Sequence, residues 1–241
     1  MIDYATLTKI GQRNENQDAF GHAGKDGCHC FVVCDGLGGY EKGGIAAWQA
    51  VEAVLSGFHR RPVFSEENAC NLVNQARDRI LELQKEHSCP QGLMTTIALI
   101  LVGEGGILAN HVGDTRIYVF DKDSRTLYQS TDHSLVQAMK EHPQMYRPDE
   151  HDALDRNILL RALGMEGGKL KHSVQLIHPE GRAAVLICSD GFWEHLSEYD
   201  TTQGLSFGNT AGEWLSRMTK TVESGKTGPN ADNYTAIALI L

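Results

Sequence analysis

Four apolar runs, Thr95–Val102, Ile107–Val112, Thr115–Phe120 and Thr126–Gln129, follow one another across connections too short to hold a crossover. A parallel pair of strands needs a dozen or more linking residues, so these runs must pair antiparallel. The turns Gly103-Glu104-Gly105-Gly106 and Asp121-Lys122-Asp123-Ser124 hold residue types that reverse a chain. Because strands come in runs and helices in pairs, a doubly wound parallel sheet is a poor fit. Antiparallel sheets covered by helix pairs, an α+β architecture, fit better.

The flanking segments supply the covers. Ile45, Ala46, Ala50, Val51, Val54, Leu55 and Phe58 stand at helical spacing, and Ser65-Glu66-Glu67-Asn68 opens a second helix reaching Glu86. Leu135–His142 and Thr210–Val222 read as further helices, and Cys28–Asp35, Val174–Ile177, Ala183–Ser189 and Tyr234–Leu241 as further strands. Pro143–Asp155 is polar and reads as a mobile excursion. Trp48, Trp193 and Trp214 sit on helical or apolar patterns and read as packing.

The 241 residues suit one domain, 1–241, with 41% hydrophobic and 22% charged residues. A formal net charge of −9, with no basic run to offset it, argues against nucleic acid and against an anionic membrane surface. It also repels a phosphorylated partner unless bound cations reverse the local sign. The six cysteines have no metal-finger spacing and read as buried reduced thiols. The chain start lacks the blocks of a signal peptide and no apolar stretch is long enough for a bilayer, so a cytoplasmic location is expected.

Aspartates punctuate the apolar runs. Asp35 ends one strand before Gly36-Leu37-Gly38-Gly39, Asp190-Gly191 ends another, Asp232 precedes the last, Asp18 follows the opening one, and Asp114 sits between two central runs. Such termini can converge at one end of a sheet, where several unpaired carboxylates repel strongly unless cations lie between them. An all-oxygen set without cysteine or paired histidines selects magnesium or manganese over zinc. Two such ions side by side activate water and clamp phosphoryl oxygens, which makes phosphate-ester hydrolysis the natural reaction. Arg13, on the same segment as Asp18, has the fork geometry for two phosphoryl oxygens.

The chain resembles the metal-dependent serine/threonine protein phosphatases, the PPM or protein phosphatase 2C-like family, in its bacterial form. The resemblance runs in order through residues 11–18, Asp35-Gly36-Leu37-Gly38-Gly39, Thr95-Thr96, Val112–Tyr118, Thr131-Asp132-His133-Ser134, Arg161-Ala162-Leu163-Gly164, Ser189-Asp190-Gly191 and Asp232-Asn233. It implies a four-layer α-β-β-α sandwich with two central, mainly antiparallel sheets and the metals in a cleft at one end. It also implies that Asp35 bridges two ions, Gly36 offers its carbonyl, Asp190 and Asp232 complete the first ion, and Asp18 holds water beside them. Arg13 corresponds to the substrate-phosphate ligand, Asp114 with Asp190 to a weaker third ion, and residues 135–157 to a variable flap. The implied cofactors are Mn2+ or Mg2+, and the implied partners are phosphorylated proteins, a Ser/Thr kinase and its substrates, with the protein a monomer. Two departures stand out: Gln17 replaces a glutamate of some relatives, and Leu37 replaces a histidine that serves others as general acid. His133 and His142 are both open candidates for that role.

Taken singly, each Asp-Gly pair is an ordinary turn, and only their co-occurrence at strand ends points to ions. Thr95 and Thr96 read as buried strand hydroxyls. A dinucleotide fingerprint at Gly36-Leu37-Gly38 fails because Glu41 occupies the place of its third glycine. Two alternatives to a protein phosphatase stand: a catalytically silent scaffold of the same fold that binds a phosphoprotein or kinase, and a two-metal hydrolase of small phosphoesters.

Overall fold

A computed structural model describes residues 2–37, 42–89, 92–142, 144, 158–165, 170, 172, 174–203, 205, 210–225 and 232–241. Strands are numbered in chain order. The first sheet runs β2 (Asp18–Lys25), β3 (Cys28–Leu37), β5 (Ile97–Gly103), β6 (Gly106–Val112) and β9 (Val174–Ile177), with β4 (Met94–Thr95) beside the end of β3. The second runs β1 (Asp3–Lys9), β11 (Tyr234–Ile240), β10 (Ala183–Cys188), β7 (Arg116–Asp121) and β8 (Thr126–Gln129). Every pairing is antiparallel.

Helices α1 (Gly43–Arg60) and α2 (Glu66–Glu86) cover the first sheet, burying Val51, Val54, Phe58, Leu72 and Ile80 against Val32, Leu99 and Leu101. The predicted cap of α2 is present: Ser65 Oγ accepts from the Asn68 N–H at 3.1 Å. The second sheet is covered by α6 (Ala211–Gly225), whose Trp214 meets Phe120 edge-on at 5.9 Å, together with the short α4 (Asp190–Trp193) and α5 (Glu198–Thr202). α3 (Leu135–Glu141) opens the flap segment, of which residues 143 and 145–157 lie outside the described residues, as do 38–41. The molecule is an α-β-β-α sandwich. Among the described residues no helix is long and apolar enough to cross a membrane.

The third apolar layer lies between the sheets. Strand residues alternate faces, so Phe31 and Val33 of β3, Ala98 and Ile100 of β5, Ile117 and Val119 of β7, Val185 and Ile187 of β10, and Ile237 and Leu239 of β11 meet there. Continuing each alternation by one inward step, always toward the same end of the sandwich, gives Asp35, Thr96, Thr115, Ser189 and Thr235. The core thus turns polar at one end, and that end is where a site can form.

Four expectations need correction. β6 and β7 do not pair; Gly113 and Asp114 carry the chain from one sheet to the other, because β6 is already flanked by β5 and β9. Trp48 and Ile45 are not packing residues: they lie 55% and 46% exposed on the outer side of α1, whose inner stripe is filled by alanine and valine. Strand β2 lacks the apolar run that would announce it, so Asp18 not only follows the opening strand β1 in the chain but itself begins a second strand that the sequence reading does not contain. All six cysteines are free as expected, but Cys70 and Cys89 are only partly buried.

Candidate metal centre

Asp35 is held by its backbone. Its N–H donates to Thr96 Oγ1 at 2.9 Å, and its carbonyl accepts from Thr95 Oγ1 at 2.8 Å and from the Thr96 N–H at 2.8 Å. Thr96 Oγ1 also shares a hydrogen bond of 2.6 Å with Thr115 Oγ1, so both threonines, fully buried, fix the aspartate rather than react. Gly36 is required by close approach: a Cβ there would run into the Gly43 carbonyl and lie 2.7 Å from the Gln17 oxygen. The glycine therefore brings the start of α1 and the Gln17 loop against the end of β3.

Asp18 stands directly across the ladder from Asp35. Its Oδ2 accepts from Ser189 Oγ at 2.8 Å, a bond that crosses from one sheet to the other, while Ser189 Oγ accepts from the Thr235 N–H at 3.0 Å. The carboxyl groups of Asp35 and Asp190 lie within hydrogen-bonding reach of each other. Asp190 Oδ1 accepts from the Gly191 N–H, and Asp232 Oδ1 from the Asn233 N–H at 2.8 Å. Arg13 Nη2 donates to Asp232 Oδ2 at 2.7 Å. The loop carrying Arg13 is pinned by the buried Asn233, whose Nδ2 donates to the Ile10 and Glu15 carbonyls and whose Oδ1 accepts from the Gln17 N–H.

Asp114 joins from the inter-sheet crossover. Gly113 takes φ +107°, and a Cβ there would sit 2.6 Å from the Thr96 side chain, so the passage admits only glycine. Its N–H donates to His133 Nδ1 at 3.2 Å and its carbonyl accepts from the His133 N–H at 2.9 Å. Burial, with His111 and Arg161 nearby, lowers the His133 pKa to about 3, so this imidazole is neutral at physiological pH and holds no surplus proton to donate. His142 caps the C-terminal end of α3. The Arg161–Gly164 patch is architectural: Leu163 and Thr95 exchange both backbone hydrogen bonds, at 2.8 and 3.1 Å, which ties the far side of the flap to the strand that fixes Asp35.

The electrostatics are those of crowded anions. Burial, then Asp190 and Asp232, raises the Asp18 pKa to about 7 against the neighbouring Thr235 and Ser189 hydroxyls, which lower it. Burial, then Asp18, Asp190 and Asp114, pushes Asp35 well above the carboxylate range. Asp114 is raised to about 7 by burial, Asp190, Asp132 and Glu194. Asp18 Oδ1 is buried with no hydrogen-bond partner, an orphan oxygen of the kind a cation or its water would satisfy. Among the described residues no three such side chains are drawn up to one point as a finished ion cage; their oxygens turn to local donors instead. The donor set nevertheless fits hard cations: it is all oxygen, anionic, partly desolvated and paired with too few positive charges.

The structure thus brings together Asp18, Asp35, Gly36, Asp114, Asp190, Asp232 and Arg13 at one end of the sandwich. The supports Ser189, Thr235, Asn233 and Arg116 carry no role in the sequence reading, and Trp193, read there as packing, instead donates its Nε1–H to the Asp114 carbonyl. The inward alternation of β10 and β11 points to Ser189 and Thr235, but only once the two strands are known to share a sheet.

A sequence model described as protein phosphatase 2C matches residues 8–227. The serine/threonine phosphatase stp of Listeria monocytogenes is 28% identical over 210 residues, covering 83% of this chain and 81% of that protein. The PPM Ser-Thr phosphatase MsPP of Mycobacterium smegmatis, solved in complex with cacodylate, superposes with a TM-score of 0.77 at 26% identity over 98% of this chain and 97% of that one. The catalytic domain of the phosphatase PstP, solved with two manganese ions, shares the fold with a TM-score of 0.80 at 21% identity, over 100% of this chain and 98% of that one. With the converging aspartates in place and the family match spanning most of its length, the chain belongs to the protein phosphatase 2C family.

Proposed function

We propose that this protein hydrolyses phosphoserine and phosphothreonine monoesters in proteins, as a single catalytic domain over residues 1–241 working as a monomer in the cytoplasm and opposing a bacterial Ser/Thr kinase. The observation that carries the reading is the meeting of Asp18, Asp35 and Asp190 from two sheets, with an arginine beside Asp232. Asp35, the Gly36 carbonyl, Asp190 and Asp232 would hold two Mn2+ or Mg2+ ions, and Asp114 with Asp190 a weaker third. Bound there, such ions supply a water activated for attack at neutral pH and offset the charge of the phosphoryl oxygens. Arg13, whose pair with Asp232 is half-exposed, binds and orients the phosphoryl group through its fork of donors. Asp18, steered by Ser189, accepts a hydrogen bond at the edge of the cluster and fixes the direction of attack. The leaving oxygen takes its proton from solvent or from the flap at 135–157, since Leu37 cannot donate and His133 is neutral.

The test is phosphate release from a phosphothreonine peptide with millimolar Mn2+. Asp35→Asn should abolish turnover while the protein stays folded, and Arg13→Ala should lower kcat/KM about 10²-fold or more. Activity on nucleotides exceeding that on phosphopeptides would reassign the substrate, and no turnover by a folded, Mn2+-loaded protein would overturn the reading.

A further inference from the structure

Trp193 closes α4, one turn after Asp190, yet its bond goes to the other acidic segment: Nε1–H donates to the Asp114 carbonyl at 2.9 Å. The indole is itself clamped. The Arg116 guanidinium lies 3.3 Å from the ring centroid and is locked in plane by Asp132, Nε to Oδ1 at 2.8 Å and Nη2 to Oδ2 at 2.6 Å, with Nη1 donating to Tyr118 Oη at 3.1 Å. A stacked, doubly hydrogen-bonded arginine leaves the ring little freedom. From the other side His133 grips both backbone groups of Gly113. The crossover is glycine-hinged, so without these grips the Asp114 carboxylate could swing away from Asp190.

We propose that Trp193, braced by Arg116 and Asp132, is a positioning residue that holds Asp114 in reach of Asp190 and so sets the affinity of the weaker divalent-cation site. The proposal rests on the reading of Asp114 as a ligand. Trp193→Phe separates the two ideas, because it keeps a ring under Arg116 and deletes the indole donor to the Asp114 carbonyl.

Mn2+ titrations of the wild type, Trp193→Phe and Asp114→Asn, followed by calorimetry and by the electron spin resonance of free Mn2+, give the affinity of each class of site. In Trp193→Phe the weak-class dissociation constant should rise about tenfold or more while the tight class stays within about twofold. Asp114→Asn should lose the weak class. If Asp114→Asn loses it and Trp193→Phe does not weaken it, the positioning role is wrong and the ligand reading stands. If Asp114→Asn keeps it, or the wild type has none, both fall. Should Trp193→Phe fail to fold, the indole N–H resonance of Trp193 in the wild type decides: it should move in the weak phase of a Mg2+ titration and stay fixed in Asp114→Asn. A resonance that does not move in the wild type overturns the proposal.

Discussion

Ser189 shows how much one hydroxyl organises. It donates across the inter-sheet gap to Asp18 and accepts the N–H of Thr235, so a side chain from the second sheet orients a carboxylate of the first. Ser189→Ala should leave a buried N–H and a buried carboxylate oxygen short of partners. Urea denaturation of metal-free protein should show a loss of about 1–3 kcal/mol, and an unchanged midpoint would show that water replaces the hydroxyl. Asp18 itself was readable as a site residue from its Asn-Gln-Asp context, but its partner was not, because Ser189 lies far away in the chain. Trp48 shows the opposite failure. Its helical spacing matches that of a core residue, and only the position of α1 on the sheet leaves it outside.

Among the elements, the crossover from β6 to β7 matters most, since it moves the chain between sheets and sets Asp114 at the rim. Gly113→Ala should strain a left-handed backbone and press on Thr96, lowering stability by about 1–3 kcal/mol in thermal melts and also loosening the Asp35 anchor. The α2 start offers a contrast far from the site: Ser65→Ala should cost about 1 kcal/mol by removing the cap on Asn68, with metal affinity unchanged. If the Gly113 variant kept full metal affinity at reduced stability, the crossover would be structural alone. The apolar strands and the two long helices were legible because their periods of two and of 3.6 are written in the residues. The partnering of β6 was not, since a short connection suits a hairpin and a sheet-to-sheet step equally well.

For the molecule as a whole, the acidic end couples folding to protons and to cations. Asp18 and Asp114, with pKa values raised to about 7, hold protons in the native state that the unfolded chain has released above about pH 4. Stability of the metal-free protein should therefore fall as pH rises through 7. The half-buried imidazoles of His22, His111, His133 and His172, with lowered pKa values, act in the opposite sense below pH 6.5. The clean window is pH 7 to 8. Melting in a chelator should show Tm dropping across that window, Asp18→Asn should flatten the slope, and Mn2+ should raise Tm more at pH 8 than at pH 7. At a concentration 100 times Kd the stabilisation is about 2.7 kcal/mol. A metal-free Tm that climbs from pH 7 to 8 would contradict the crowded-anion account.

The residues alone determined that strands joined by short turns cannot lie side by side in parallel, that helices cover them, and that aspartates sit at strand ends, because turn length and side-chain alternation are local properties. Which strands share a sheet, and hence which inward-facing residues meet across the gap, is fixed only when the two sheets pack. That packing sets Ser189 on Asp18 and Trp193 on Asp114, contacts between distant stretches of chain that no local pattern encodes. Tertiary structure also decided the electrostatics, since a carboxylate's pKa depends on the burial and the neighbouring charges that folding brings to it.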